Sequence, residues 1–315
     1  MPKQVIATHY GEPVGLGDRG NVIECEPCGF KHIYPLPTPA DIKAYYEKQF
    51  YGKERWPQYI DKMEFERDYW LAIYGERVRQ IENLLGYTDG VPSPPDYASI
   101  LDVGSGPGLF LAAAHARGWS AYGIEPSEQA ANHANNIRGY GTYTLQETFE
   151  EFCTDDTYNA IHMSFLLEHM VDPKATLDKC WGLLDDGGIL VIEVPNDFSE
   201  LQKITSEYTE EKGWWISVPD HLNYFSKQSL GDLAIRSGFG IAWTTGTWDM
   251  NLFALMGLNY IDAPDVGLHA HHLRMKMEQR LLEQAPELKQ SLYRAMSQVG
   301  VTRELVLFAR KTSGG

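Results

Sequence analysis

The stretch Ile100-Leu101-Asp102-Val103-Gly104-Ser105-Gly106-Pro107-Gly108-Leu109-Phe110-Leu111 constrains the fold more than any other part of this 315-residue chain. An apolar run ends in an acid. Glycine then takes every second position, and an apolar helical pattern follows. That order predicts a strand, a tight turn and a helix start. The glycines let the backbone approach a ligand where any side chain would clash. A second apolar run, Ala121-Tyr122-Gly123-Ile124, ends in Glu125. An acid about 20 residues past a glycine loop is placed to accept from the hydroxyls of a ribose.

The spacing Gly104-x-Gly106-x-Gly108 is not the G-x-G-x-x-G that seats a pyrophosphate on a helix N-terminus, which counts against a nicotinamide or flavin site. The Asp-Val-Gly-x-Gly-x-Gly form resembles the first motif of class I S-adenosylmethionine-dependent methyltransferases. Ile124-Glu125-Pro126-Ser127 resembles that family's second-strand motif. Leu166-Leu167-Glu168-His169-Met170-Val171-Asp172-Pro173 resembles its fourth-strand segment, and Leu183-Leu184-Asp185-Asp186-Gly187-Gly188-Ile189-Leu190-Val191 its turn into strand five. His221-Leu222-Asn223-Tyr224-Phe225-Ser226 and Ser237-Gly238-Phe239-Gly240 fit the same family. The resemblance implies a Rossmann-like α/β fold: a seven-stranded, mostly parallel sheet with an antiparallel last strand inserted between strands five and six.

Strands are expected near 98–103, 120–125, 141–145, 158–164, 187–194, 239–247 and 303–310, with helices between them as in βαβ crossovers. Residues 41–90 read as an aromatic-rich helical segment, with Thr38 as its cap, Pro39 at the first helical position, and interruptions near Tyr51-Gly52 and Pro57. Residues 91–315 form the methyltransferase-like core. A helical insertion at about 249–301 is long enough to serve as a lid.

The resemblance assigns S-adenosylmethionine as cofactor. Asp102, Gly104, Ser105, Gly106 and Gly108 then meet its methionine end, and Glu125, beside Pro126, its ribose. Residues around Glu147 meet the adenine, and Met163, Ser164 and Leu166 line the sulfonium side. Asn159 stands where relatives often carry Asp, with no expected loss of cofactor binding.

Residues 1–40 are read as a small zinc-type module. Cys25-Glu26-Pro27-Cys28-Gly29 is a C-x-x-C-G turn that points two thiolates at one ion. Tetrahedral zinc needs two more ligands, and His9 and His32 are the local candidates. Some sugar methyltransferases carry an N-terminal four-cysteine zinc module, which this layout resembles with half the cysteines. A knuckle that no longer binds metal, or a redox pair, stands beside the structural-zinc reading. Cys153 and Cys180 are expected as small buried groups. No catalytic metal is expected.

Methyl transfer to a hydroxyl or carbon acid needs a base. His221 is the first candidate, against a purely loop-holding role. Tyr224 is a candidate for positioning the acceptor or, alternatively, a packed aromatic. His169 is a second base candidate or an ordering residue. Trp214, Trp215, Asn196 and Asp197 are candidates for a pocket wall. His269, His271 and His272 read as solvated imidazoles at a helix start.

The net charge of −16 argues against nucleic acid and anionic membrane as partners. With no leader-like or membrane-length apolar run, a cytoplasmic protein is expected. The expected acceptor is a small polar metabolite, O- or C-methylated, such as a sugar or glycan precursor. A natural-product or quinone-type small-molecule methyltransferase is the second reading. A catalytically silent cofactor-binding subunit, docking a partner through the N-terminal module, is the third. The acceptor atom and the oligomeric state are open at this point.

Overall fold

A computed structural model describes residues 9–14, 21–38, 41, 55–87, 95, 98–136 and 143–312. In chain order its strands are β1 (Gly11–Pro13), β2 (Val22–Cys25), β3 (Phe30–Ile33), β4 (Ser99–Val103), β5 (Ser120–Ile124), β6 (Tyr143–Leu145), β7 (Tyr158–Ser164), β8 (Leu184–Pro195), β9 (Asn223–Tyr224), β10 (Phe239–Gly246) and β11 (Glu304–Lys311). They form a seven-stranded sheet in the order β10-β11-β8-β7-β4-β5-β6 and a four-stranded sheet in the order β1-β2-β3-β9. In the large sheet β4 pairs parallel with β5 and β7, and β7 with β8. The last strand, β11, runs antiparallel between β8 and β10, as the resemblance implied.

The central strands are apolar at nearly every position because the sheet is covered on both faces. Side chains alternate between the faces. Leu101, Val103, Ile161, Met163, Leu190 and Ile192 face one core, with Leu177 and Cys180 of helix Pro173–Leu183 and Leu230 and Leu233 of helix Lys227–Arg236. Ile100, Ala160, Ile189, Val191 and Phe308 face the other, with Val78 and Ile81 of helix Arg67–Leu85 and Leu111 of helix Leu109–Ala116. Full burial of each Val, Leu, Ile, Met or Phe side chain among them is worth about 1.5–3 kcal/mol. The crossover helices start where the sequence supplies caps. Asp172 accepts from the Ala175 N–H at 2.9 Å with Pro173 in the first turn, and Ser226 and Ser229 form a capping box.

Several expectations are corrected. Pro57 does not interrupt a helix; it falls in the first turn of helix Arg55–Phe65, where its missing N–H has no intrahelical partner to lose. The fifth strand of the large sheet begins at Leu184, ahead of the double glycine, because Tyr158 already pairs with Leu184. Cys153 is exposed, whereas Cys180 is buried. The Asp41 N–H donates to Thr38 Oγ1 at 3.2 Å, and the Thr38 N–H to Asp41 Oδ2 at 3.1 Å; Pro39 lies outside the described residues. Tyr51-Gly52 lies outside the described residues. Asn159 joins strand entries, its Oδ1 accepting from the Ser99 N–H at 2.9 Å and its Nδ2 donating to Asp185 at 2.8 Å.

The segment between β10 and β11 carries helices Asn251–Leu255, Pro264–Gln284 and Pro286–Gln298. Met275 packs on Tyr69 and Ile73, and the Tyr69 hydroxyl donates to Glu278. Lys289 pairs with the buried Glu76 at 2.6 Å. These contacts hold the segment against helix Arg67–Leu85, over the open end of the sheet. Among the described residues no helix is long and apolar enough to cross a membrane.

Candidate active site

The carboxyl ends of β4, β5 and β7 open into one cavity of about 1260 Å³. Ordinary small-molecule pockets run to about 1,000 Å³, so this one has room for a cofactor and an acceptor together. Asp102, Gly104, Ser105, Gly106, Glu125, Pro126, Ser164, Leu166, His169 and His221 all line it.

The glycine loop is tied to the end of β5 by the Gly104 and Ser105 N–H groups, which donate to the Ile124 carbonyl at 2.8 and 3.1 Å. This close approach needs Gly123, since a Cβ there would sit 2.6 Å from Ser105 Oγ and 2.8 Å from Leu111 Cδ1. Gly108 opens helix Leu109–Ala116 at φ 86° with its face against Ala134; it does not line the cavity. Glu125 is buried and accepts from the Gly106 N–H at 3.0 Å and the Ser127 N–H at 2.8 Å. Burial pushes its carboxyl up to about 7, against those two bonds.

Beneath the loop runs a buried polar chain that sequence reasoning missed. Arg77 forms two bonds to Glu193, at 2.7 and 2.9 Å, and donates to His162 Nε2 at 3.0 Å. A guanidinium only donates, so Nε2 accepts and the proton sits on Nδ1, which donates to Asp102 at 2.7 Å. Ser164 Oγ donates to Glu193. Phe110 stacks on His162 with ring centroids 3.7 Å apart. Burial drives His162 well below the usual imidazole range and Asp102 well above the carboxylate range. The visible signal was a histidine inside an otherwise apolar strand, Ala160-Ile161-His162-Met163.

Also at the cavity, Glu168, His169 and His221 converge, with one ligating-type atom of each within 4.8 Å of the others. His169 Nδ1 lies 2.6 Å from the Asp220 carbonyl. A carbonyl only accepts, so Nδ1 carries a proton and donates to it, and Nε2 lies 3.9 Å from Glu168 Oε1. The His169 and His221 rings meet edge to face at 5.0 Å. Glu168 is buried, and burial raises its carboxyl well above the ordinary range. Phe165, at the end of β7, lines the cavity with φ 51°, a strained backbone for a bulky residue.

Other candidate residues stand elsewhere. Met163 does not line the cavity: alternation along β7 sends it into the core while His162 and Ser164 face the opening. Glu147 is also outside the lining; Thr148 and Phe149 take that place. Tyr224 is packed in the core of the small sheet, its hydroxyl accepting from the Ser217 N–H at 3.3 Å. Trp214, Trp215, Asn196 and Asp197 do not line the cavity; Trp215 packs on the small sheet's core. His271 is not a solvated imidazole. Its Nε2 lies 3.0 Å from the buried Glu66, and both residues line the cavity with Arg274.

At the small sheet, the four N-terminal candidates come together. His9 Nδ1 lies 3.0 Å from His32 Nε2, 3.4 Å from Cys28 Sγ and 3.7 Å from Cys25 Sγ. The β2–β3 hairpin brings Cys25, Cys28 and His32 together, and His9 joins from just before β1.

Residues 74–242, just over half of the chain, match the family profile described as a methyltransferase domain. The ubiquinone biosynthesis O-methyltransferase of Vibrio parahaemolyticus serotype O3:K6 (strain RIMD 2210633) is 26% identical over 199 residues, covering 57% of this chain and 84% of that protein. The human mitochondrial ubiquinone biosynthesis O-methyltransferase is 32% identical over 159 residues, covering 47% of this chain and 42% of that protein. The plantazolicin methyltransferase BpumL, solved with a monoazolic desmethylPZN analog and SAH, superposes with a TM-score of 0.53 at 15% identity, over 87% of this chain and 95% of that one. At that identity the superposition speaks for the fold alone. The glycine loop and its acid, the strand order with an antiparallel last strand, and the matched domain agree: the chain belongs to the class I S-adenosylmethionine-dependent methyltransferases.

Proposed function

We propose that this enzyme methylates a hydroxyl of a small polar acceptor, with Glu125 and the glycine loop holding S-adenosylmethionine. The observation that carries the reading is that one continuous cavity is lined both by the glycine loop with Glu125 and by the His169–His221 pair. S-adenosylmethionine, when bound, supplies an electrophilic methyl group on a sulfonium. Glu125 is suited to it, since a carboxylate accepts from two vicinal hydroxyls at once. In this reading His221 or the neighbouring His169 takes the acceptor's proton, and the edge-to-face contact of their rings supports treating the two as a pair. Trp70, Tyr74 and Phe165 supply flat apolar walls, and helix Pro264–Gln284 closes the cavity with His271 and Arg274 as a lid.

A catechol or quinone-type acceptor is favoured, because the ubiquinone biosynthesis O-methyltransferases are similar to this chain. A sugar or glycan precursor is the second reading, carried by the aromatic walls on which a pyranose ring can stack. Transfer of labelled methyl to 3,4-dihydroxybenzoate and to nucleotide sugars separates the two. His221→Ala and His169→Ala should each lower kcat by about 100-fold with S-adenosylhomocysteine affinity unchanged in calorimetry. Full turnover in both variants removes the base assignment. Cofactor binding with no transfer to any acceptor favours a cofactor-binding subunit.

We propose further that His9, Cys25, Cys28 and His32 hold a structural zinc ion. Zinc–sulfur and zinc–nitrogen bonds of about 2.3 and 2.1 Å give tetrahedral edges of about 3.3–3.8 Å. The S···N separations of 3.4 and 3.7 Å match these edges, and the N···N separation of 3.0 Å is only slightly shorter. The His32 Nδ1–H donates to the Ile33 carbonyl at 2.8 Å, which leaves Nε2 free to ligate. Burial and the neighbouring Cys25 push the Cys28 thiol up to about 12, so zinc must displace a proton on binding. Elemental analysis of untreated protein should find about one zinc per chain, lost when Cys25 and Cys28 are both replaced by serine. No zinc in the wild type leaves this segment as packing.

A further inference from the structure

We infer that Asn223 is a positioning residue through which the four-stranded sheet sets the Glu168–His169 turn in the cavity. The inference rests on the reading of His169 and His221 as acceptor-side groups, and is independent of zinc occupancy.

A two-residue strand has no stability of its own. β9 exists because β3 supports it: Lys31 pairs with Tyr224 and His32 with Asn223, and the Ile33 N–H donates to the Leu222 carbonyl at 2.9 Å. β3 is held in turn by β2, next to the converging cysteines and histidines. From β9 the contacts pass to the turn. The Leu222 N–H donates to the Glu168 carbonyl at 2.8 Å. Asn223 Nδ2 donates to the Met170 carbonyl at 2.7 Å and lies 3.3 and 3.4 Å from the carbonyls of Leu167 and Glu168.

In the single 3₁₀ turn Leu167–His169 the Leu167 carbonyl takes a long bond from the Met170 N–H, at 3.3 Å, and the Glu168 carbonyl takes the Leu222 N–H, so Asn223 adds a second donor to these and a short one to Met170. Asn223 is 2% exposed, so water cannot replace its amide there. Two amide hydrogens serve three carbonyls. Met170 takes the short bond, and Leu167 and Glu168 share the other hydrogen. Asn223 does not line the cavity. It acts through the turn that does, and the same turn holds the His169 ring against His221. The N-terminal sheet is thus a buttress for the acceptor side of the cavity, while the glycine loop and Glu125 stand on other strands.

Asn223→Asp is the sharp test. It keeps the shape but sets a carboxylate against three carbonyl oxygens. Asn223→Ser, which keeps one donor, is the milder companion. On the full chain, S-adenosylhomocysteine binding by calorimetry reports the glycine-loop side. Hydrogen exchange over 166–171 reports the turn. Ring carbon–proton NMR signals of His169 and His221, assigned with single histidine variants, report the imidazoles. The expected result is unchanged S-adenosylhomocysteine affinity, turn exchange faster by about tenfold, and shifted signals for His169 and His221 but not for His115. Wild-type exchange should also show the turn opening together with β3 and β9 as one unit, a readout that needs no variant.

Unchanged turn exchange and imidazole signals in a folded variant would overturn the inference. So would a wild-type turn that opens independently of β3, or loss of cofactor affinity in step with the turn. Full turnover in His169→Ala and His221→Ala would instead remove the acceptor-side reading and leave the mechanical coupling intact.

Discussion

Replacing Glu125 with alanine should weaken S-adenosylmethionine binding by about 3 kcal/mol, on the order of 100-fold, as two charge-assisted hydrogen bonds to a ribose are lost. Calorimetry measures it directly. The same change frees the Gly106 N–H, which Glu125 holds at 3.0 Å, so the loop loses its tether as well as its ligand contact. Glu125→Gln keeps the shape and one acceptor oxygen, and should lose about tenfold.

The pH dependence follows from the carboxyl's position. Burial raises Glu125 from its ordinary value of 4.5 to about 7. Ribose hydroxyls are better bound by the ionised form, so cofactor affinity should rise with pH up to about 7 and then level off. Glu125→Gln should abolish that dependence. For stability the sign is opposite. The folded protein holds this proton between pH 4.5 and about 7 while the unfolded chain does not, so the group's contribution is fully present below 4.5 and is lost as pH rises through about 7. An alanine variant that binds S-adenosylmethionine as tightly as the wild type would remove Glu125 from the cofactor site.

Arg77→Leu should destabilise the fold by about 3–5 kcal/mol in urea denaturation, the usual result of leaving a buried charge without its partner. Glu193 loses its two Arg77 bonds, and His162 Nε2 loses its donor. Burial raises the Glu193 carboxyl, but the Arg77 guanidinium outweighs it and holds the group below its usual range. The stability from this pairing is therefore present above the ordinary glutamate range and lost as pH falls below it. The double variant Arg77→Leu with Glu193→Leu should be less destabilised than Arg77→Leu alone, since no charge is stranded. An Arg77→Leu protein within about 1 kcal/mol of wild type would mean that Glu193 is neutral or hydrated in the folded state.

Much of the fold was legible along the chain. Strand positions in the large sheet follow from apolar runs bounded by glycine and acid, as at Leu101–Gly104 and Ile124–Glu125. A parallel sheet buried on both faces imposes such runs locally. The glycine loop was legible for the same reason: its own glycines and the end of β5, at Gly123, Ile124 and Glu125, hold its conformation. The C-x-x-C turn with His9 and His32 was nominated by spacing alone.

Only the tertiary structure decided where those residues face and what they meet. Alternation on β7 turned His162 to the polar chain and Met163 to the core, and no sequence period distinguishes the two faces of a strand that is apolar on both. Arg77, Asp102, His162 and Glu193 come from one helix and three strands, and their pairing exists only once β4, β7 and β8 are side by side. The link between β3 and β9 joins residues about 190 positions apart, His32 and Asn223. Contacts between residues so distant in sequence leave no local pattern, because only the long-range packing of the folded chain brings them together.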